Sequence, residues 1–166
     1  MGTTNQKFSV QRSFQAPKEL VFQAFSTEDA LAEWWGPIGV SIEVIRLDFK
    51  VNGVFHYKMK GDEEHYGLFL FKEIERPNRI TWINSFADKN GSIIKPPFEG
   101  LDLPKEILNK ISLEEKNGIT TITLVSEPIN STESETATFY SIMEGMEEGW
   151  GGTFDKLESY LSKIGR

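Results

Sequence analysis

The sequence predicts an α+β domain with one antiparallel sheet of seven strands, two short helices after the first strand, and a long C-terminal helix. Three observations predict this class. Seven segments alternate apolar and polar side chains, which is the period of a half-buried strand. Short turns join several of these segments, and such turns connect antiparallel neighbours. After Ser131 the apolar spacing becomes helical, so the C-terminal helix is the expected cover for the apolar face of the sheet.

Each predicted strand is an alternating run that ends at turn residues. Asn52-Gly53 and Asn117-Gly118 have the residue types that tight hairpin turns require. At 166 residues the chain is most simply one domain over residues 1–166. The seven strands are predicted at Phe8–Phe14, Val40–Leu47, Val54–Met59, Tyr66–Ile74, Arg79–Phe86, Ile107–Leu113 and Ile119–Val125.

Two short helices are predicted between the first and second strands. Pro17 suits the first helical position, where a missing N–H is harmless, and Glu19 favours the helix dipole. A second helix begins after Thr27 and ends at Trp34-Trp35.

The C-terminal region predicts one long helix. Thr132 and Glu135 have the spacing of a capping box. Four glycines weaken this helix by about 1 kcal/mol each relative to alanine. They indicate a close approach of another element or a kink near Gly149–Gly152, or the helix simply tolerates glycines that have no structural role. One helical face carries Phe139, Met143, Met146, Trp150, Phe154, Leu157 and Leu161.

Residues 87–106 form an irregular insertion. Pro96, Pro97, Gly100 and Pro104 interrupt any regular element, although several apolar side chains lie between them. A segment of this length without regular structure is often functional. It is either a lid over a cavity mouth or a strap packed on the surface.

Four segments resemble the activator-of-heat-shock-protein-90-ATPase-like family. Residues 14–37 (FQAPKELVFQAFSTEDALAEWWGP) resemble its opening, and Val51–Met59 (VNGVFHYKM) its glycine turn and aromatic strand. Phe71–Trp82 (FKEIERPNRITW) is similar to its hairpin, and Gly149-Trp150 begins a stretch similar to its closing helix. The family belongs to the START-like (SRPBCC) superfamily of helix-grip folds, which includes birch-pollen allergens and polyketide cyclases. The resemblance implies a curved sheet that grips the long helix, with a cavity between them.

Composition and charge exclude several classes of function. A net charge of −7 without a basic block argues against nucleic-acid and membrane partners. The absence of cysteine excludes disulfides and thiol chemistry and suits the cytoplasm. His56 and His65 match no metal motif, and alternation places His56 towards solvent, so we expect no metal and no cofactor. No motif indicates a catalytic group.

The candidate site is therefore an apolar pocket, although the same side chains could simply fill the core. Ligand pockets are mostly apolar with a few placed polar groups, and Tyr57 and Asn84 are candidates for these. The predicted ligand-binding residues are Trp34, Trp35, Phe55, Tyr57, Met59, Phe69, Trp82, Asn84, Phe86, Phe139, Met143, Met146 and Trp150.

Three functions follow from these observations. The first is binding of a small apolar or amphipathic molecule without built-in catalysis, by a monomer or a homodimer. The resemblance implies a second, a co-chaperone-like module of the stress response that docks to a chaperone or another protein. Relatives in the superfamily imply a third, a cyclase- or hydrolase-like enzyme, which no residue constellation here supports.

Overall fold

The structure, a computed structural model, describes residues 8–164 and confirms the predicted fold class. All seven predicted strands are present, and the described residues add an eighth, very short strand. The elements are β1 (Phe8–Phe14), α1 (Lys18–Ala24), α2 (Glu28–Trp34), β2 (Ser41–Leu47), β3 (Val54–Lys60), β4 (His65–Glu75), β5 (Arg79–Ala87), β6 (Ile93–Ile94), β7 (Glu106–Lys116), β8 (Ile119–Ile129), α3 (Glu133–Ser141) and α4 (Met143–Ile164).

The described strands form one antiparallel sheet in the order β1-β8-β7-β5-β4-β3-β2. The two short helices α1 and α2 carry the chain from β1 at one edge to β2 at the other. Strand β6 pairs only with the end of β5. Register shifts at Val44/Arg46 in β2 and Phe71/Glu73 in β4 bend the sheet, because a bulge increases local twist. The sheet is therefore curved, with a concave face towards the C-terminal helices.

One apolar core joins the sheet to α1, α2 and α4. Phe154 and Leu157 of α4 are fully buried, and the Phe154 ring lies 5.8 Å from the ring of Phe14 on β1. Phe139 is buried, and Trp150 packs against the same core. The C-terminal stripe therefore faces the sheet as predicted. The single domain over residues 1–166 stays a prediction, since residues 1–7 and 165–166 lie outside the described part.

The predicted long C-terminal helix is confirmed as α4, but it does not start at the predicted capping box. The capping box at Thr132 and Glu135 is present, but the helix that it starts ends at Ser141. Ile142 leaves helical geometry with φ −109° and ψ 18°, and its N–H bonds to the carbonyl of Phe139 at 3.3 Å. Such a tightened last turn satisfies orphan carbonyls at a helix end. A second helix, α4, begins at Met143.

The glycines at 149–152 do not interrupt the helix, because these residues lie inside α4. A close approach explains Gly152, where a Cβ atom would lie 3.0 Å from Cγ1 of Ile38. A Cβ atom at Gly145 or Gly149 would meet no described atom within 4 Å. At Gly145 and Gly149 the remaining interpretation is that the helix tolerates a glycine without a structural role.

Lys156 fastens α4 to the loop that follows α2. Its Nζ lies 3.2 to 3.3 Å from the carbonyl oxygens of Trp35, Gly36, Pro37 and Val40, and its three N–H groups are shared among these four acceptors. Burial lowers the pKa of Lys156 from its ordinary value. This cluster orients the Trp34-Trp35 segment against the helix.

No helix among residues 8–164 is both long and apolar enough to cross a membrane.

Candidate ligand-binding cavity

A partly open cavity of about 290 Å³ lies between the concave face of the sheet, the C-terminal helices and the 87–106 segment. Its wall is mostly apolar and aromatic. Strands β1, β3, β4, β5, β7 and β8 contribute to it, as do α3 and α4. The lining residues are Phe8, Tyr57, Met59, Gly67, Asn84, Ser85, Phe86, Pro96, Leu103, Pro104, Lys105, Ile107, Asn109, Ser126, Phe139, Ile142, Met146 and Trp150.

The Tyr57 side chain is set in the wall by the glycine opposite it. Tyr57 on β3 pairs with Gly67 on β4, and a Cβ atom at Gly67 would lie 2.2 Å from Cζ of the Tyr57 ring. Only glycine therefore allows this ring position. Burial raises the pKa of the Tyr57 hydroxyl, while hydrogen bonds with Trp35 and Asn84 partly oppose that shift. Tyr57 is thus a neutral hydrogen-bonding group at physiological pH.

Two polar residues form part of the wall on β7 and β8. Asn109 and Ser126 are direct cross-strand partners, and each is 3% exposed. The Ser126 hydroxyl donates to Oδ1 of Asn109. Oδ1 of Asn109 is thus taken, and no hydrogen bond from the amide N–H groups is found among the described residues. Because Asn109 lines the cavity, these N–H groups can donate to an acceptor on a bound molecule.

The charge of the wall is carried by a single residue. Lys105 lines the cavity just before β7, and no carboxylate is among the described lining residues. Lys105 makes no ion pair with any residue between 8 and 164. The wall therefore offers hydrogen-bond donors and one positive charge to a bound molecule.

The structure divides the predicted site residues into two layers. Seven line the cavity: Tyr57, Met59, Asn84, Phe86, Phe139, Met146 and Trp150. Six lie outside its wall, in or against the core: Trp34, Trp35, Phe55, Phe69, Trp82 and Met143.

The second layer is held by its own contacts. Nε1 of Trp34 donates to the carbonyl of Ala24 at 2.8 Å, and the rings of Phe69 and Trp82 stack 4.8 Å apart. Trp35 meets Trp150 edge-on at 5.5 Å, so this layer supports the wall from behind.

Several lining residues were not predicted from the sequence. Asn109 could have been recognised from the sequence as a candidate polar group of the site. It interrupts the apolar face formed by Ile107, Ile111 and Leu113 on β7. Ser126 lies just beyond the predicted end of its strand. Four further lining residues belong to the irregular 87–106 segment, and only tertiary structure places them: Pro96, Leu103, Pro104 and Lys105.

An ion cluster fastens the 87–106 segment to the start of α3. Nζ of Lys95 lies 2.8 Å from Oε2 of Glu135 and also pairs with Asp102. Hydrogen bonds from Lys95 are the main reason that the pKa values of Asp102 and Glu135 lie below their ordinary values. Glu135 also closes the capping box with Thr132. The segment is therefore tied to the helix that borders the cavity.

Contrary to the prediction, His56 is not exposed to solvent. It lies on the opposite face from Tyr57, as alternation requires, but it is only 6% exposed. The turn at residues 88–91 covers it, and Nε2 lies 3.0 Å from the carbonyl of Asp88. His65 lies 3.4 Å from Glu63. Within residues 8–164, no group of three or more His, Asp or Glu side chains has a geometry that could hold a metal ion.

The curved sheet, the long helix that it grips and the cavity between them define a helix-grip fold. A family model described as "Activator of Hsp90 ATPase homolog 1-like protein" matches residues 15–162. The chain therefore belongs to this family. No curated protein shows a significant match to the sequence.

Solved structures share the fold over almost the whole chain. A protein from Arthrobacter aurescens, solved by NMR, is 27% identical, with a TM-score of 0.76 over 95% of this chain and 86% of its own. An NMR structure from Staphylococcus epidermidis is 22% identical, with a TM-score of 0.74 over 98% and 94%. The AHSA1 protein from Silicibacter pomeroyi is 17% identical, with a TM-score of 0.70 over 95% and 98%.

Proposed function

We propose that this protein binds a small apolar or amphipathic molecule in the cavity between the sheet and the C-terminal helices, without built-in catalysis. The observation that carries the proposal is the cavity itself, about 290 Å³ with a mostly apolar wall and a few placed polar groups. Ligand pockets have this composition, and the volume is near the lower end of their range of roughly 300–1,000 Å³.

The titratable groups of the wall support binding rather than chemistry. Burial raises the pKa of Tyr57, so the hydroxyl stays protonated and can orient a ligand but not remove a proton. The buried pair of Asn109 and Ser126 is neutral. These groups recognise oxygen atoms on a ligand, and the apolar wall takes its hydrophobic part.

We also propose that the 87–106 segment is a lid. It contributes Pro96, Leu103 and Pro104 to the wall and is fastened to α3 through Lys95. Lids exclude water and order on closure. A bound ligand should therefore protect this segment from protease.

Thermal shift with a panel of lipids, flavonoids and polyketide-like compounds tests the binding proposal. A ligand at a hundredfold its Kd should stabilise the protein by about 2.7 kcal/mol. Met146→Trp should fill the cavity and abolish the shift, whereas Ile45→Trp, at an exposed position on β2, should retain it. The proposal fails if no compound shifts the melt, or if Met146→Trp responds like the wild type.

The family description favours a second function, docking to the Hsp90 chaperone in the cytoplasm and stimulating its ATPase. A pull-down with the cognate Hsp90, followed by its ATPase rate with and without this protein, tests that function. An unchanged rate and no co-purification would reject it, and neither result depends on the cavity.

A further inference from the structure

We propose that the ligand is a carboxylate of about eight carbons in total, whose anionic group binds Lys105 and whose far end presents an oxygen to Asn109. This inference rests on the proposed binding function and names the chemical class of its ligand. It follows from the charge, the donors and the dimensions of the cavity wall.

The charge of the wall selects an anion. Lys105 is its one ionised side chain among the described lining residues. The other lysine of the segment near the cavity, Lys95, is already paired with Asp102 and Glu135. Lys105 has no such partner within residues 8–164. A charge-assisted hydrogen bond to a carboxylate is about twice as strong as a neutral one.

The exposure of Lys105 places the anionic group at the mouth. Lys105 is exposed, so a carboxylate there keeps part of its hydration while its apolar chain enters the cavity. The protein has a net charge of −7, which opposes the approach of anions. Salt screens that long-range repulsion beyond about 8 Å at physiological ionic strength, whereas the direct contact persists.

The inner end of the cavity calls for a hydrogen-bond acceptor. Ser126 occupies Oδ1 of Asn109, so the amide N–H groups of this 3%-exposed side chain are the groups left to bind a ligand. A purely hydrocarbon end would exclude water from these N–H groups without offering an acceptor, which is unfavourable. A hydroxyl or carbonyl oxygen on the ligand would satisfy them.

The dimensions of the wall set the length of the ligand. Lys105 directly precedes β7, and Asn109 follows four residues later on the same face. Their backbones are therefore about 13 Å apart at roughly 3.3 Å per residue. The cavity of about 290 Å³ holds about ten non-hydrogen atoms at roughly 30 Å³ each. Octanoate has ten non-hydrogen atoms, which are eight carbons and two oxygens.

Three matched probes test the proposal by titration: octanoate, 1-octanol and 8-hydroxyoctanoate. The readouts are calorimetry and tryptophan fluorescence, to which Trp150 in the cavity wall contributes. We expect octanoate to bind up to about fivefold more tightly than 1-octanol, as for an exposed ion pair. Lys105→Gln should bring the two affinities together, and Lys110→Gln, an exposed lysine on the other face of β7, should leave the preference unchanged. High salt should weaken the preference, because Lys105 is exposed.

The contact between the far end of the ligand and Asn109 is tested separately. 8-Hydroxyoctanoate should bind more tightly than octanoate to the wild type, and this gain should vanish in Asn109→Leu/Ser126→Ala, which replaces both members of the buried pair. If both octanoate and octanol bind with equal affinity, or if Lys105→Gln keeps the preference, the carboxylate proposal is wrong while the binding function stands. If Lys105→Gln behaves as expected but the hydroxyl gives no gain, the contact to Asn109 is wrong. If none of the three probes binds and the wider panel also fails, the binding function itself is rejected.

Discussion

Gly67→Ala is the sharpest test of how the cavity wall is built. The added Cβ atom would lie 2.2 Å from Cζ and 2.3 Å from Oη of Tyr57. Ordinary contact begins at 3.4 Å, so the ring would have to move by more than an ångström. Tyr57 is 3% exposed and its ring centroid lies 4.5 Å from that of Phe55, so the ring can move only into the cavity that it lines.

The magnitude follows from two effects. Overpacking of a filled core costs about 1–3 kcal/mol. Displacing the Tyr57 hydroxyl also disturbs its hydrogen bonds with Trp35 and Asn84, which adds about 1–3 kcal/mol. We therefore expect Gly67→Ala to lower the free energy of unfolding by about 2–6 kcal/mol. For a chain of this size that is a fall in Tm of roughly 4–24 °C.

Urea denaturation and thermal melts measure this change, and Gly149→Ala is its matched control. A Cβ atom at Gly149 meets no described atom within 4 Å, so that substitution should stabilise α4 by about 1 kcal/mol. Gly67→Ala should also weaken ligand binding, because the displaced ring lines the cavity. If Gly67→Ala melts like the wild type, Tyr57 is not packed on β4 and the described wall is wrong. The double variant Gly67→Ala/Tyr57→Leu should recover part of the lost stability.

Three further outcomes are expected. Trp150→Ala should destabilise the protein by about 3 kcal/mol, the low end for a large core truncation because the ring is half-buried; a change in Tm of only a degree or two would contradict this. Since Lys95 depresses the pKa values of Asp102 and Glu135, the stability that they contribute is present above their ordinary pKa values near 4 and is lost as pH falls through the lowered ones. Protease cleavage of the 87–106 segment should therefore increase below about pH 4, and Lys95→Met should be cleaved readily already at neutral pH. Lys156→Met should lower the free energy of unfolding by about 1.5–3 kcal/mol, because four carbonyl oxygens lose a charged donor; an unchanged urea midpoint would refute that role.

The sheet could be predicted from the sequence because its signals are local. Period-two alternation and the Asn-Gly turns located all seven strands, and β1 has the predicted bounds. The C-terminal end of β8 was predicted too early, because pairing with Glu106 at the start of β7 extends that strand to Ile129. Strand β6 consists of two residues that become extended only by pairing with β5. Local alternation cannot show either effect.

The helix break and the cover over His56 depend on tertiary contacts. Met143 and Met146 keep helical spacing with Phe139, so the periodicity runs across Ile142 without any sign of the break. His56 was assigned to solvent because its strand neighbours face the core. The turn at residues 88–91, more than thirty positions along the chain, buries it instead.

The same distinction separates the two halves of the cavity. One half is made by strands β3 to β5 and by α3 and α4, whose side-chain directions follow from period and handedness, and it contains all seven of the predicted lining residues. The other half combines the polar pair on β7 and β8 with the 87–106 segment. That half holds Lys105 and Asn109, which are the groups that would distinguish one ligand from another. The half that could be predicted therefore supplies apolar area, and the half that could not supplies specificity.

Family members that share the aromatic wall but differ in the segment before β7 should accordingly bind ligands of similar size and different charge. Exchanging residues 93–105 between two such members should transfer the preference for carboxylate or alcohol probes. If the preference instead stays with the aromatic wall, Lys105 does not select the ligand.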